Sequence, residues 1–497
     1  MHGERDPNLS ELNLSLTPGV AGRLARHPLL VDSAAIRERV INIYYDTPDL
    51  RLQRERVVLH YHKRGSAWWC SVSRAAIGAR RGAGQREWEA VGEPGDFDFS
   101  HVGDGGLRQW LEALRKELQP AFTTSFTRNA WTLEPRAGVR IEVALDRGWI
   151  VGEGRRQAIC EVGLGLISGS AGDLFSTASE LQTDLSLHPE VSSKLQRGYQ
   201  ALTDDALQAV KALPLQTNAG MTAIDAFRTI ALACQKHLQD NEHGVCESDD
   251  PEFVHQARVA IRRLRSAIRV WRPLLPEGFV SRFDPLWQSL AGRLGEARNW
   301  DVFSTETVPT IAAAFPNGVE SHRLSAYAQR RCAINREAAR NEFRSVDYSR
   351  LLLEFTAAVL ALRDDENLRL DAFAPACLDK RARQVSQLAA EALAGDAAAR
   401  HRLRVAYKRL RYALEFFAPL FPGELLRNYH VSASGLQEML GRLNDLAVAA
   451  QLSEEALPGE AGAAIRHWLE SQSERLLPEL RGWLHDFEQH PAPWRNQ

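Results

Sequence analysis

The chain has 497 residues, 44% of them hydrophobic and 25% charged, which excludes a wholly disordered protein and exceeds what one ordinary core accommodates. Its 61 Lys+Arg against 63 Asp+Glu leave a net charge of -2, so no global positive excess marks it for nucleic acid or membrane, and an anion site has to arise from local clustering. Six scattered cysteines, Cys70, Cys160, Cys234, Cys246, Cys332 and Cys377, show neither CxxC pairs nor zinc-ligand spacing, and no apolar run approaches the length of a membrane span; a cytoplasmic protein with reduced thiols is expected.

From about residue 8 to 200, short alternating or β-branched runs such as VINIYYD, RVVLHYHKR, WWCSVSR, VRIEVALDRGWIVG and AICEVGLGLISG predict strands of an antiparallel sheet or barrel. Helices are expected near 106–118 and 172–186. A linker is placed at 201–221, where Pro214, Asn218 and Gly220 interrupt any period. From 222 to 490, long Ala/Leu/Arg/Glu segments with apolar residues three or four apart, broken by RPLLPEG, FPNG and LFPGE, predict an all-α domain. The whole reads as a multidomain α+β protein.

The helical half contains one pattern twice. FVHQARVAIRRLRSAIRVWRPLL starts at Phe253 and HRLRVAYKRLRYALEFFAPLF at His401, so His255, Arg258, Arg262, Arg263 and Arg265 match His401, Arg404, Lys408, Arg409 and Arg411 in offset. Leu294-Gly295 and Leu440-Gly441 follow at equal distances, each leading into Asn and Asp: Asn299 and Asp301, then Asn444 and Asp445. This is internal duplication of a several-helix unit. On a helix, His255, Arg258, Arg262 and Arg265 fall within about 80° of one another, as do their counterparts. Another side carries Phe253, Ala257, Ile261, Leu264, Ile268 and Trp271, or Leu403, Ala406, Leu410, Leu414 and Phe417, as packing stripes.

A basic helix face is ordinarily solvated and laced with ion pairs, but no Asp or Glu falls within 253–272 or 401–414. Repelling cations on a folded helix cost stability that an anionic ligand restores. Arginine's planar fork, a mobile lysine and a histidine that charges beside a polyanion suit a chain of phosphates. Neither stripe carries the exposed aromatics that stack bases, which makes nucleic acid a lesser expectation. Arg298, Lys380, Arg381 and Arg442 are weaker additions, expected to be solvated.

On VHQARVAIRRLR, LGEARNWDVF, HRLRVAYKRLRYALEFF and LQEMLGRLNDLAV, residues 222–490 resemble a CHAD domain, the conserved-histidine α-helical domain. That resemblance implies two pseudo-symmetric four-helix bundles, a basic groove and binding of inorganic polyphosphate; a cytoplasmic location that extends to polyphosphate granules is the accompanying expectation. On YYDTPDLRLQRER, IEVALDRGWIVGEGRRQAICEV and SSKLQRGY, residues 8–200 resemble a CYTH domain, whose implied fold is a closed antiparallel barrel with a tunnel that holds triphosphate.

Active members of the CYTH family carry an ExExK strand whose carboxylates hold Mg²⁺ or Mn²⁺. Here the segment reads Glu11-Leu12-Asn13-Leu14-Ser15, the basic strand reads Leu59-His60-Tyr61-His62, and the late acidic strand reads Glu161-Val162-Gly163-Leu164-Gly165. Arg128, Arg155, Lys194 and Arg197 still resemble phosphate-contacting tunnel positions, and Glu11, Glu142, Asp146 and Glu161 are weak metal candidates. With that many carboxylates and bases lost, the tunnel is expected to be a scaffold or accessory phosphate binder with no catalytic residues and no cofactor, Mg²⁺ or Mn²⁺ mattering only if it is active. His60 and His62 form only a weak metal pair without a third ligand. The alternatives are a metal-dependent inorganic triphosphatase and an adaptor for nucleic acid or a protein partner.

Overall fold

The computed structural model describes residues 10–74, 86–203, 207–316, 319–394, 397–421, 423–489, 492 and 494. They form two compact units, one of residues 1–206 with 346–360 and one of 207–345 with 361–497.

The first unit is built on β1 (Glu11–Ser15), β2 (Ile36–Asp46), β3 (Val57–Arg64), β4 (Ala67–Arg74), β5 (Arg86–Val91), β6 (Gln119–Arg136), β7 (Val139–Gly152), β8 (Arg155–Ser168) and β9 (His188–Pro189). All pairings are antiparallel, in the order β5-β4-β3-β2-β6-β7-β8-β1-β9. The sheet is open, with edges at β5 and β9, so the expected closed barrel is a loose description: no ladder joins the two edges among the described residues. The β7–β8 hairpin turns on Glu153 and Gly154, both at positive φ (46° and 75°), the two-residue turn whose twist suits paired strands.

Helices cover one face of this sheet in two places. Around α1 (Pro18–Leu24) and α4 (Ala171–Asp184), Leu24, Leu174 and Leu181 pack on Leu14, Trp131, Val143 and Leu164. Helix α3 (Gly105–Leu114) lays Leu107, Leu111 and Leu114 on Leu59, Tyr61 and Val72. Both α3 and α4 lie where the sequence predicts helices. The first cluster is completed by a segment from far along the chain, the helix α11 (Val346–Ala361), through Leu353 with Ala357 and Leu360 beside it. Two short helices, α2 (Arg51–Arg54) and α5 (Lys194–Leu202), finish the unit.

The second unit is helical: α6 (Ala223–Glu247), α7 (Pro251–Trp271), α8 (Glu277–Val302), α9 (Val308–Ala314), α10 (Val319–Phe343), α12 (Leu370–Ala394), α13 (Ala397–Phe417), α14 (Glu424–Ala456) and α15 (Glu460–Glu488). Helices α6, α7, α8 and α10 pack in a ring, each on the next, and α12, α13, α14 and α15 repeat that ring. The duplication seen in the sequence is therefore a pair of four-helix bundles, with α7 and α13 of equal length, 21 residues each. Their packing stripes are buried from Phe253 to Trp271 and from Leu403 to Phe417, and α7 and α13 touch each other. The copies differ at one place: α8 passes through a π-helical turn, Phe303–Thr307, into α9, whereas α14 runs on as α-helix. The segment 207–221 runs extended on this unit, with the Val210 N–H donating to Asn241 Oδ1 (2.9 Å) and the Thr217 hydroxyl to the Phe416 carbonyl (3.3 Å).

Candidate functional site

In the second unit, α7, α8, α13 and α14 enclose a cavity of about 350 Å³. His255, Arg258 and Arg262 reach it from α7, Arg298 from α8, and His401, Arg404 and Lys408 from α13. Six of the ten residues expected to contact phosphate are thus brought together, each of the three matched pairs contributing both members. Asp445 is the carboxylate in the lining, Asn299 and Asn444 add amides, and Val302, Phe303, Val448, Ala449 and Leu452 make an apolar wall. Among the described residues Arg258, Arg262, Arg404 and Lys408 enter no ion pair, and Asp445 offsets charge at Arg404 and Lys408 only.

The electrostatic consequence is large. Burial, then Arg262, Arg404 and Arg298, push the Arg258 guanidinium down to about 10. Burial, then Arg404, Arg262 and Arg258, push the Lys408 ammonium down to about 6. Arg404 is depressed by burial and Arg262, with Asp445 opposing, and His255 by burial and then Arg298. These cations are desolvated and repel one another, as a protein arranges only where an anion or a structural constraint offsets the cost. Neutral contacts hold some of them: the Arg404 guanidinium and the His401 imidazole meet Asn444 Oδ1 (3.0 and 3.2 Å), and Arg262 Nε donates to the Tyr412 hydroxyl.

The other four expected residues lie outside the lining. A helix rises about 1.5 Å per residue, so a stripe from His255 to Arg265 is about 15 Å long and outruns the cavity. Arg265 Nε instead donates to Asp284 Oδ1 (3.0 Å), and Arg411 Nε to Gln437 Oε1 (2.8 Å). Arg263 is 3% exposed and pairs with Glu415 Oε1 (2.5 Å), while Arg409 interacts with Arg381 and Arg269. The basic stripes themselves hold no acid, but Asp284 of α8 reaches Arg265, and Glu415 of α13, just past its stripe, reaches both Arg263 and Arg411. Of the weaker additions, Arg298 joins the lining, Arg381 is held by the Cys377 carbonyl (3.0 Å), and Arg442 approaches Glu479 (3.8 Å).

The twin Leu-Gly landmarks also separate by role. A side chain at Gly295 would collide with the Arg258 guanidinium, whereas at Gly441 nothing lies within 4 Å. Asp301 is fully buried and holds Arg336 (2.9 and 2.8 Å), so Asn299, not Asp301, is the counterpart of Asp445 in the lining. The π-helical turn that delivers Phe303 and Thr307 to the cavity had no signal in the sequence beyond the proline that follows it.

In the first unit, Glu38, Arg128, Asp146, Glu161 and Ser15 stand directly opposite one another on β2, β6, β7, β8 and β1. Arg128 donates twice to Asp146 (2.8 Å each), which raises its own pKa, and Lys194 Nζ binds Asp146 (2.8 Å) and Glu161. Arg197 donates to Glu161, placed for it by the Ser193–Gln196 capping box of α5. Phe122, Phe126, Ile150, Ile159 and Tyr199 pack as an apolar cluster alongside. Glu11 and Glu142 are exposed and flank Gly165 four residues along these strands, about 13 Å from Asp146 and Glu161. Arg155 is exposed at the start of β8 and reaches the Ala201 carbonyl (3.4 Å).

This geometry does not fit Mg²⁺ or Mn²⁺, which takes oxygen ligands at about 2.0–2.2 Å. The four carboxylates form two separated pairs, the buried pair is already bound by three cations, and no group of three His, Cys, Asp or Glu is arranged for a metal among the described residues. His60 and His62 share a face with ring centroids 5.4 Å apart, and burial pushes His60 down to about 4.

Residues 229–454 match the CHAD domain family. The CHAD domain structure from the plant Ricinus communis is 33% identical, with 56% of this chain and 97% of that one covered and a TM-score of 0.51. The chain belongs to the CHAD domain family. Its CHAD domain carries the cavity described above. An inorganic triphosphatase of Haemophilus influenzae is 36% identical over 104 residues, which span 20% of this chain and 29% of that protein. HpAC1 from Hippeastrum, which has a dominant triphosphatase activity, is 14% identical with a TM-score of 0.27, covering 42% of this chain and 99% of that one. No helix among the described residues is long and apolar enough to cross a membrane.

Proposed function

We propose that the CHAD domain binds inorganic polyphosphate in the cavity between its two bundles. The observation that carries this reading is the convergence of Arg258, Arg262, Arg298, Arg404 and Lys408 with two histidines on a lining whose one carboxylate among the described residues is Asp445. Phosphate oxygens accept from guanidinium forks and an ammonium, and a doubly anchored chain meets equivalent donors from both copies of the repeat. Quadruple replacement of Arg258, Arg262, Arg404 and Lys408 by alanine is expected to abolish retention on polyphosphate at low salt. Undiminished retention would refute the assignment.

The first unit serves, on this reading, as a scaffold without turnover and needs no cofactor. Its cations are engaged by Asp146 and Glu161, so a triphosphate entering there must displace internal ion pairs. The second reading is an inorganic triphosphatase, supported by the segment shared with the Haemophilus influenzae enzyme and by the survival of Arg128, Asp146, Glu161, Lys194 and Arg197 in one cluster. Phosphate release from tripolyphosphate with Mg²⁺ or Mn²⁺ by the purified full chain separates the two: release that follows the folded protein establishes the enzyme, and no release leaves the scaffold.

A further inference from the structure

The first unit carries a second cationic groove, on the face of the sheet opposite the buried ion pairs. It measures about 620 Å³ and is lined by Arg37, Arg39, Ser125, Thr127, Arg147 and Trp149. Arg39, Thr127 and Arg147 are directly opposite one another on β2, β6 and β7, and Ser125 is opposite Trp149. Neighbouring strands lie about 4.8 Å apart, so the two arginine backbones are about 10 Å apart across a hydroxyl, a gap that two guanidinium side chains close on one phosphate. Arg37, two residues before Arg39, shares its face.

Arg37, Arg39 and Arg147 enter no ion pair among the described residues. Glu38 also borders the groove, but strand alternation turns its side chain to the other face, where it interacts with Arg128. Trp149 is 41% exposed, and the guanidinium of Arg156 stacks on its indole 3.6 Å from the ring centroid. The groove therefore combines an accessible aromatic surface, backed by a cation, with three uncompensated arginines and two hydroxyls. An inorganic phosphate chain has no ring to stack, and a duplex keeps its bases on one another. A flexible strand that alternates phosphates with aromatic bases uses both halves of the groove.

We propose that this groove binds single-stranded nucleic acid, one base stacking on Trp149 and the flanking phosphates held by Arg39, Arg147 and Arg37. The site is independent of the CHAD cavity, and the test keeps them apart. In the full chain carrying Arg258→Ala, Arg404→Ala and Lys408→Ala, anisotropy of a labelled oligothymidylate of about 12 nucleotides reads the groove alone. Binding should persist, weaken about tenfold with Trp149→Ala and recover most of that with Trp149→Phe. Adding Arg39→Ala and Arg147→Ala should flatten the slope of log affinity against log salt by about 1.4. A duplex of equal length and inorganic polyphosphate at equal phosphate concentration should compete poorly. Loss of binding in the cavity-disabled parent, unchanged affinity in Trp149→Ala, or equal competition by polyphosphate overturns the proposal.

Discussion

Lys408 makes the CHAD cavity sensitive to pH in a direction that can be worked out. With its ammonium held near 6 by burial and by Arg404, Arg262 and Arg258, the free protein at pH 7.5 carries it about 3% protonated. A phosphate chain among these residues supplies the opposite charge, which favours the ammonium and lifts its pKa toward the ordinary lysine range. Binding then takes up a proton, so affinity falls as pH rises above 6, with a limiting slope of one log unit per pH unit and about 100-fold between pH 6.5 and 8.5. His255, also depressed, adds uptake at the acid end of that window. Calorimetry with polyphosphate of one chain length, in buffers of different ionisation enthalpy at constant ionic strength, measures the protons directly. Titration of the ligand's own end groups is common to wild type and Lys408→Met, so the difference between them isolates this residue. Equal pH slopes in the two proteins would refute the reasoning.

The same residue should weigh on the unliganded fold: the unfolded chain protonates Lys408 below about 10.4 and the folded chain below about 6, so stability rises with pH between those values. Lys408→Met should accordingly raise the denaturant midpoint at pH 7, by on the order of 2 kcal/mol, and flatten that rise. Gly295→Ala should displace the Arg258 guanidinium and weaken polyphosphate binding about tenfold, while Gly441→Ala, with open space around it, leaves affinity unchanged in the same titration. Glu161→Gln strips the carboxylate that Lys194 and Arg197 share and should destabilise the first unit by about 3 kcal/mol in chemical denaturation. A fragment ending at residue 206 lacks α11 and exposes the surface that Leu353 covers; it should bind a hydrophobic dye until a peptide of 346–361 is added.

The repeat was the most legible feature because equal offsets in sequence become equal turns on equivalent helices, whatever surrounds them. His255, Arg258, Arg262 and their partners converge for that reason. Arg265 and Arg411 were not separable from them by angle, since they lie on the same side of the helix and differ only in distance along it. Their partners Asp284 and Gln437 come from other helices, outside any window confined to α7 or α13, while Glu415, which reaches Arg263 and Arg411, lies in α13 just beyond the stripe that the offsets define. The open sheet was hidden for a similar reason, because strand propensity says nothing about whether the first and last strands meet. Helix α11 carries Leu351, Leu352, Leu353, Phe355 and Val359, all buried, so its apolar character was evident, but composition does not say which core will receive it.

The two units hold similar side chains in opposite electrostatic states. In the first, Arg128, Lys194 and Arg197 are matched against Asp146 and Glu161, and an arriving anion would trade one set of ion pairs for another while leaving two buried carboxylates without partners. In the second, Arg258, Arg262, Arg404 and Lys408 are half-buried and enter no ion pair among the described residues, and the crowding shows in the depressed Arg258 and Lys408. An anion entering there relieves repulsion as well as forming new bonds, so its free energy of binding includes what folding spent on crowding the cations together. If the proposed binding holds, a phosphate chain making equal contacts should favour the CHAD cavity, and removing a cation from it should stabilise the free protein while weakening the complex, a pairing of signs that no merely structural cluster produces.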